Sequence, residues 1–197
     1  MKNEKKKFAI LSVSDKKNID KFARELIKNN YIILSTGGTA RFLTSKNIEN
    51  ISISDFTKFE EILDGRVKTL HPKIHAGILA KDKLSIKNLK DSTYELIDIV
   101  AVNLYPFEQA ISKKNCTFEN AIENIDIGGP TMLRAAAKNH QRVTVVTDPS
   151  DYMKIIDELV NNGKTNSSTR LELAKKVFNK ISQYDAMIFD YLDHQTK

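Results

Sequence analysis

The sequence predicts an α/β protein: a mainly parallel central sheet flanked by helices, with a long helix toward the C-terminus. Three observations carry that prediction. Short apolar runs of strand length alternate with helical patterns early in the chain, as in Phe8–Val13, residues 19–27 and Tyr31–Leu34. A glycine loop, Ser35-Thr36-Gly37-Gly38-Thr39, joins the second run to the next helix. Ile97–Leu104 is a nearly unbroken apolar run that reads as a central strand. Strands alternating with helices in this way argue for a parallel sheet covered by those helices.

In order, Phe8–Val13 forms the first strand, and Ser14-Asp15 offers a cap for the helix that follows. That helix places Ile19, Phe22, Ala23, Leu26 and Ile27 on one face at 3.6-residue spacing and stops at Asn29-Asn30. Tyr31–Leu34 is the second strand, and a short helix runs from the glycine loop through Leu43. The alternation of Ile51 and Ile53 predicts a third strand. Asp64–Lys73 packs Arg66, Lys68, His71 and Lys73 between Gly65 and Pro72, a composition that disfavours a regular helix and suits an extended segment. Ile78–Ala80 reads as a short strand, residues 84–91 as a polar helix, and Val143–Val146 as the last strand. Thr147-Asp148-Pro149 opens a helix lined by Tyr152, Ile155, Ile156, Leu159 and Val160, which Asn162-Gly163 ends. Gly163–Ser167 is the clearest linker. Thr169-Arg170-Leu171-Glu172 fits a capping box. The long helix after it carries Leu171, Ala174, Phe178, Ile181, Met187, Ile188 and Tyr191 near one stripe.

At 197 residues, 41% hydrophobic and 28% charged, the chain has the size and composition of a soluble domain with one sizeable core. The net charge of +6 is partly a solvated lysine-rich start, Lys2, Lys5, Lys6 and Lys7. No apolar stretch approaches the ~20 residues of a membrane span, and no secretory signal is expected. The single Cys116 excludes an internal disulfide framework and fits a reducing cytoplasm. Basic residues are not interleaved with stacking aromatics, so no nucleic-acid partner is expected. His71 and His75 are four apart, but Pro72 lies between them and no His-Glu pair or nearby Cys accompanies them, so no metal site is expected.

Ligands of open parallel sheets collect outside the carboxyl ends of the strands. Ser12, Ser14 and Lys16 follow the first strand, Ser35, Thr36, Gly37 and Gly38 the second, and Asn103, Leu104 and Tyr105 the central one. A Gly-Gly pair leading into a helix lets backbone N–H groups approach a phosphate. Taken alone, the same residues fit an ordinary tight turn. Arg66-Val67-Lys68-Thr69, alone, reads as a solvated basic loop. Asn124–Thr131 precedes a strongly helix-forming run to His140. Asp126 there is either a cap in a strand-to-helix connection or a carboxylate at a site edge. Lys138 either favours the helix dipole or exchanges protons if burial lowers its pKa.

Taken together, Ser12–Lys16, Ser35–Ala40, Asp64–His75, Asn103–Phe107, Asn124–Pro130, Ala136–His140 and Thr147–Pro149, in this order, resemble a known family. It is the inosine monophosphate (IMP) cyclohydrolase domain of the bifunctional purine-biosynthesis proteins, and the likeness runs through essentially the whole chain. The resemblance implies a methylglyoxal synthase-like three-layer fold. It implies ring closure of 5-formamidoimidazole-4-carboxamide ribotide (FAICAR) to IMP in a cytoplasmic homodimer that uses no metal or organic cofactor. By the same resemblance, Ser12, Ser14, Lys16 and Ser35 to Gly38, with Thr36 and Gly37 between, hold the nucleotide around its phosphate. Arg66, Val67, Lys68 and Thr69 contact it across the site, Asn103 and Leu104 flank the base, and Asp126 and Ile127 meet its far edge. Lys138 is then the proton donor/acceptor, with Tyr105, Lys68 and Asp126 as catalytic partners. Residues 1–162 are expected to form the cyclohydrolase domain. Residues 163–197 are expected to form a linker and helical extension toward a covalently linked formyltransferase domain absent from this chain, so no formyltransferase activity is expected. The rival readings are a methylglyoxal synthase-like enzyme and a non-catalytic nucleotide-sensing module of the same fold. Neither explains Arg66–Pro72 or Asp126–Pro130.

Overall fold

The computed structural model describes residues 6–87, 89, 93–112 and 115–195. Strand β1 (Lys7–Val13) is followed by α1 (Ile19–Lys28), β2 (Tyr31–Ser35), α2 (Gly37–Ser45), β3 (Ile51–Ser52) and α3 (Ile53–Thr57). Helices α4 (Pro72–Leu79) and α5 (Lys83–Lys87) precede β4 (Ile97–Asn103). Then come α6 (Phe107–Ile111), α7 (Phe118–Glu123), α8 (Gly128–Lys138), β5 (Thr144–Val146), α9 (Tyr152–Asn162) and α10 (Ser167–Gln195). The five strands are all parallel, in the order β3-β2-β1-β4-β5. The expected parallel α/β architecture is the observed one. β1 occupies the middle, with Ala9, Ile10 and Leu11 wholly buried, and β4 lies beside it.

The topology explains how both faces are covered. From β1 the chain steps to β2 in one direction, and from β4 it steps to β5 in the other. Right-handed crossovers in opposite directions put α1 and α8 on opposite faces. With α1 goes α9, through stacked Phe22 and Tyr152 rings at 4.3 Å. With α8 go α4 and α10. The chain reverses direction between β1 and β4, the switch point at which such sheets open a crevice.

Several local expectations are corrected. Ser14-Asp15 caps nothing: α1 starts at Ile19 after a left-handed Asn18, because the Ser14 hydroxyl is taken by Asn103 Oδ1 and the Leu104 carbonyl, both at 2.9 Å. Ile27 is 37% exposed, at the edge of an otherwise buried stripe. Ile53 begins α3 and does not extend β3, since Ser52 caps the helix through the Asp55 N–H at 3.0 Å. Ile78 and Leu79 lie in α4, not in a strand. Pro72 opens that helix at its first turn, where its missing N–H costs nothing, and Ile74 and Ile78 bury one turn apart. Asp64–Lys73 is likewise not extended. Ile62 and Val67 pair across a tight turn with Leu63, Asp64 and Gly65 all at positive φ. Of the helix expected over 84–91, α5 accounts for residues up to Lys87, while Asn88, Lys90 and Asp91 lie outside the described residues, as do Lys2 and Lys5.

The long helix α10 packs on α8, β5 and α6, so it shares the core of the domain. Its buried stripe is Leu173, Ala174, Val177, Ile181 and Tyr184, with Met187, Ile188 and Tyr191 partly covered. Leu171 and Phe178 face outward. The capping box is not used, because the helix already begins at Ser167: Thr169 donates to Glu158 at 2.5 Å and Glu172 pairs with Lys154. Two arginines lock the far end of α8. Arg142 donates to the carbonyls of Gly77, Ile78, Ala80 and Ile97 and to Asp98, satisfying the last carbonyls of α4. Arg170, from α10, donates to the His140 and Gln141 carbonyls at 2.8 and 2.9 Å.

Candidate active site

A cavity of about 610 Å³ opens at the carboxyl ends of β1 and β2. One wall is Ser12, at the end of β1, with Thr36, Gly37 and Gly38 at the start of α2. The other is Asp64–Arg66, Lys68 and Thr69, together with Ile122, Glu123 and Ile125–Gly129. Ser12 and Thr36 share a hydroxyl hydrogen bond at 2.7 Å. Behind them the buried Thr39 hydroxyl accepts from the Val13 N–H at 3.0 Å and donates to the Val13 carbonyl at 3.1 Å. These bonds fix the free N–H groups of the α2 N-terminus against β1, the arrangement that favours an anion.

Lys68 supplies the nearest positive charge. Its ammonium hangs between the two glycines: a Cβ on Gly37 would lie 3.6 Å from Nζ, and one on Gly65 3.9 Å. Burial, with Arg41 beside it, pulls its pKa below the ordinary lysine value. It is ion-paired with Glu61, and Arg66 is ion-paired with Glu123 across the cavity mouth.

The opposite end of the cavity is built on the α8 N-terminus. Asp126 Oδ1 accepts from the Gly129 N–H at 2.8 Å, and the Tyr105 N–H also points at this carboxyl. The Tyr184 hydroxyl accepts from the Asp126 N–H at 2.8 Å. Burial raises the Asp126 pKa above the usual carboxylate value, against the lowering effect of the Gly129 and Tyr105 N–H groups. Close approach explains the glycine pair. A Cβ on Gly128 would run into the Thr69 hydroxyl, and one on Gly129 into the Asp126 carboxylate.

The structure therefore brings Ser12, Thr36, Gly37, Gly38, Arg66, Lys68, Thr69, Asp126 and Ile127 to one cavity. Other expected residues sit in the supporting layer. Asn103 Oδ1 accepts from the N–H of Ser14 at 2.6 Å, the Ser14 hydroxyl and the Asp15 N–H, while Nδ2 donates back to the Asp15 carbonyl. It is a clamp between β4 and the turn after β1. Lys16 folds back onto the Val13 and Ser14 carbonyls, and burial lowers its pKa. Ser35 is fully buried, donating to Asn50 at 2.5 Å. Leu104 belongs to the core, Val67 pairs with Ile62, and Tyr105, 45% exposed as a residue, presents its N–H to Asp126. Lys138 is exposed at the last residue of α8. At 1.5 Å per residue it lies about 15 Å along the axis from Gly128, outside this cavity.

Sequence reasoning missed Glu61, Glu123 and Arg41. No local signal marks the two carboxylates, since Arg66 and Glu123 are 57 residues apart in sequence. Arg41 was findable one turn into the helix that follows the glycine loop. His71 caps α4 by accepting from the Lys73 N–H at 3.1 Å. Among the described residues, no group of His, Cys, Asp and Glu side chains is placed to hold a metal ion. No helix among them is long and apolar enough to cross a membrane.

A parallel sheet with a helix N-terminus facing a half-buried carboxyl across a cavity defines an α/β domain with its site at the carboxyl ends of the strands. The family follows from comparison with known proteins: residues 18–131 match the MGS-like domain, and the chain belongs to that family. Residues 136–197 match the AICARFT/IMPCHase bienzyme. The chain is 54% identical over 191 residues to the bifunctional purine biosynthesis protein PurH of Streptococcus gordonii, covering 96% of this chain and 37% of that protein. It is 55% identical over 193 residues to PurH of Caldicellulosiruptor bescii, covering 97% and 38%. The chain thus spans under two-fifths of the length of these relatives and corresponds to their N-terminal portion. The crystal structure of ForH superposes with a TM-score of 0.82 at 33% identity, over 94% of this chain and 96% of that one.

Proposed function

We propose that the chain is an IMP cyclohydrolase, closing FAICAR to IMP in the cytoplasm with loss of water, the final ring closure of purine synthesis. The observation that carries this reading is the two-ended cavity: an α2 N-terminus with Lys68 and Arg66 at one end and the raised-pKa Asp126 at the other. The PurH relatives supply the reaction class. A phosphate of the ribotide would take the N–H groups of Gly37 and Gly38 and the hydroxyls of Ser12 and Thr36. The base would then lie toward Thr69, Asp126 and Ile127.

The reaction needs little beyond placement and proton transfer. The carboxamide nitrogen attacks the formyl carbon, forming the new C–N bond and putting negative charge on the formyl oxygen. That oxygen takes a proton as the attacking nitrogen gives up one of its two, and the hydroxyl, protonated once more, leaves as water while the formamide nitrogen loses its proton and the ring C=N bond forms to it. Holding both arms of one substrate together supplies an entropic gain. Lys68, at the α2 end, holds the phosphate and so fixes the ribotide for the attack. Asp126, held by two N–H groups, orients the amide and accepts its proton.

Lys138 as proton donor/acceptor rests on the resemblance alone. Its distance from the cavity of its own protomer supports a reading in which α8 of one copy of a homodimer closes the site of the other. We further propose that residues 163–197 lead toward a linked formyltransferase domain, for which the 37% coverage of the relative leaves room. An absorbance assay with FAICAR tests the activity: ring closure supports the reading, binding without turnover replaces it with a nucleotide sensor, and neither overturns both. Mixing Lys138→Ala with Lys68→Ala protein tests the shared site. Recovery of activity on mixing supports it, and additive inactivity sinks it.

A further inference from the structure

Both cations on the outer wall of the cavity are already neutralised by carboxylates of the chain itself. Lys68 pairs with Glu61, which is half-exposed, and Arg66 pairs with Glu123, with Nε donating to Oε2 at 3.3 Å. Among the described residues neither carboxylate has another hydrogen-bond or ion-pair partner that would make it a structural anchor: Glu61 precedes the strained turn, and Glu123 ends α7 at the cavity rim. The turn between Glu61 and Lys68 holds Leu63 and Asp64 at φ of 54°, a left-handed conformation that L side chains rarely adopt.

From this geometry we propose that Glu61 and Glu123 act as internal competitor anions. They occupy Lys68 and Arg66 in the nucleotide-free protein, must be displaced by the incoming phosphate, and so set the affinity of the site for phosphate-bearing ligands. The physical reason is an exchange balance. A monoanion that replaces a carboxylate on Lys68 trades one charge-assisted contact for an equivalent one and gains little. A dianion with three acceptor oxygens reaches Lys68, the α2 N–H groups and the Ser12–Thr36 hydroxyl pair at once. Affinity for every anion that uses Lys68 is lowered by the latch by the same factor, and a dianion still binds because it has contacts left over beyond the one exchanged. The Lys68–Glu61 pair carries more of this effect, because Lys68 is 24% exposed in its side chain, whereas Arg66 and Glu123 are 63% and 54% exposed and screened by water.

This inference rests on the cyclohydrolase reading for its nucleotide, but not for the latch itself, and the test separates the two. Calorimetric titration of the chain with IMP, inosine and inorganic phosphate is compared between wild type, Glu61→Gln, Glu123→Gln and the neighbouring control Glu60→Gln. Glu61→Gln is expected to bind IMP and phosphate about three- to ten-fold more tightly, with inosine unchanged, and Glu123→Gln about two-fold more tightly. Glu60→Gln is expected to match wild type. Wild type that binds phosphate but not IMP, with the Glu61→Gln gain on phosphate intact, removes the nucleotide reading and keeps the latch. Unchanged or weaker binding of both anions by Glu61→Gln overturns the latch, and so does an equal gain in Glu60→Gln, which would mark a nonspecific charge effect. All three substitutions are on exposed side chains and preserve shape.

Discussion

The two walls of the cavity are made in different ways. The inner wall, Ser12 and Thr36–Thr39, is an outgrowth of the core: β1 is wholly buried along Ala9–Leu11, and the Thr39 hydroxyl stitches α2 to Val13 by two hydrogen bonds. The outer wall, Asp64–Thr69 with Ile122–Ile127, is a turn and a helix end. Ile62, Leu63 and Ile127 are 46%, 66% and 56% exposed there, and two ion pairs span it. A fixed wall offers preorganised N–H donors at no cost on binding, while an outer wall held by exchangeable charges yields to the ligand. The difference separates stability from affinity: damage to the inner wall should unfold the protein, and damage to the outer wall should leave it folded and weaken its work.

The largest expected effect is on the outer wall. Lys68→Ala should lower kcat/KM for FAICAR about 10- to 100-fold, as for loss of one charge-assisted contact to the phosphate. Its urea midpoint should stay near wild type, because the lost pair is half-exposed. Unfolding at wild-type urea with near-normal turnover would break the comparison. On the inner wall, Thr39→Val keeps the shape and strands the Val13 N–H in a buried setting, and should cost about 1–3 kcal/mol in urea unfolding.

Asp126, between the walls, sharpens the comparison through pH. Its folded pKa is raised, so the folded state binds the proton more tightly than the unfolded state does. Its contribution to stability is present below the unfolded pKa and is lost as pH rises through the folded one. Asp126→Asn should flatten that part of the stability–pH curve and match or exceed wild type near neutral pH, while losing activity; a steeper fall would reverse the assignment. The smallest effect is Arg66→Gln. Its exposed pair with Glu123 should contribute under ~1 kcal/mol to stability, with a few-fold loss of IMP affinity that fades at high salt.

The fold was legible wherever a single segment carried its own signal. Phe8–Val13, Tyr31–Leu34 and Ile97–Leu104 became parallel strands because buried strands of a covered sheet are nearly continuous apolar runs. The helix over 19–28 followed its 3.6-residue stripe. Errors clustered where a short apolar group was ambiguous. Ile78–Ala80 read as a strand because three residues cannot show a period, and the decisive feature was Pro72 six residues earlier. Leu171 and Phe178 were placed on the buried stripe, whereas the stripe follows Leu173, Val177 and Tyr184, because α8 and β5 set the face that α10 presents.

By itself the sequence determined a parallel α/β chain with a glycine loop before a helix, and motifs that resemble one enzyme family. Those properties are local: they depend on residues within a turn or two of each other. Only the tertiary structure decided that Ser12, Lys68 and Asp126 share a cavity while Lys138, one helix away from Asp126, lies outside it. Only it could pair Arg66 with Glu123 and show Ser35 bonded to Asn50 and Asn103 clamped to the turn after β1. The Arg66–Glu123 pair and the cavity walls join segments that are neighbours in space alone, and no spacing along the chain records which distant carboxylate an arginine will find.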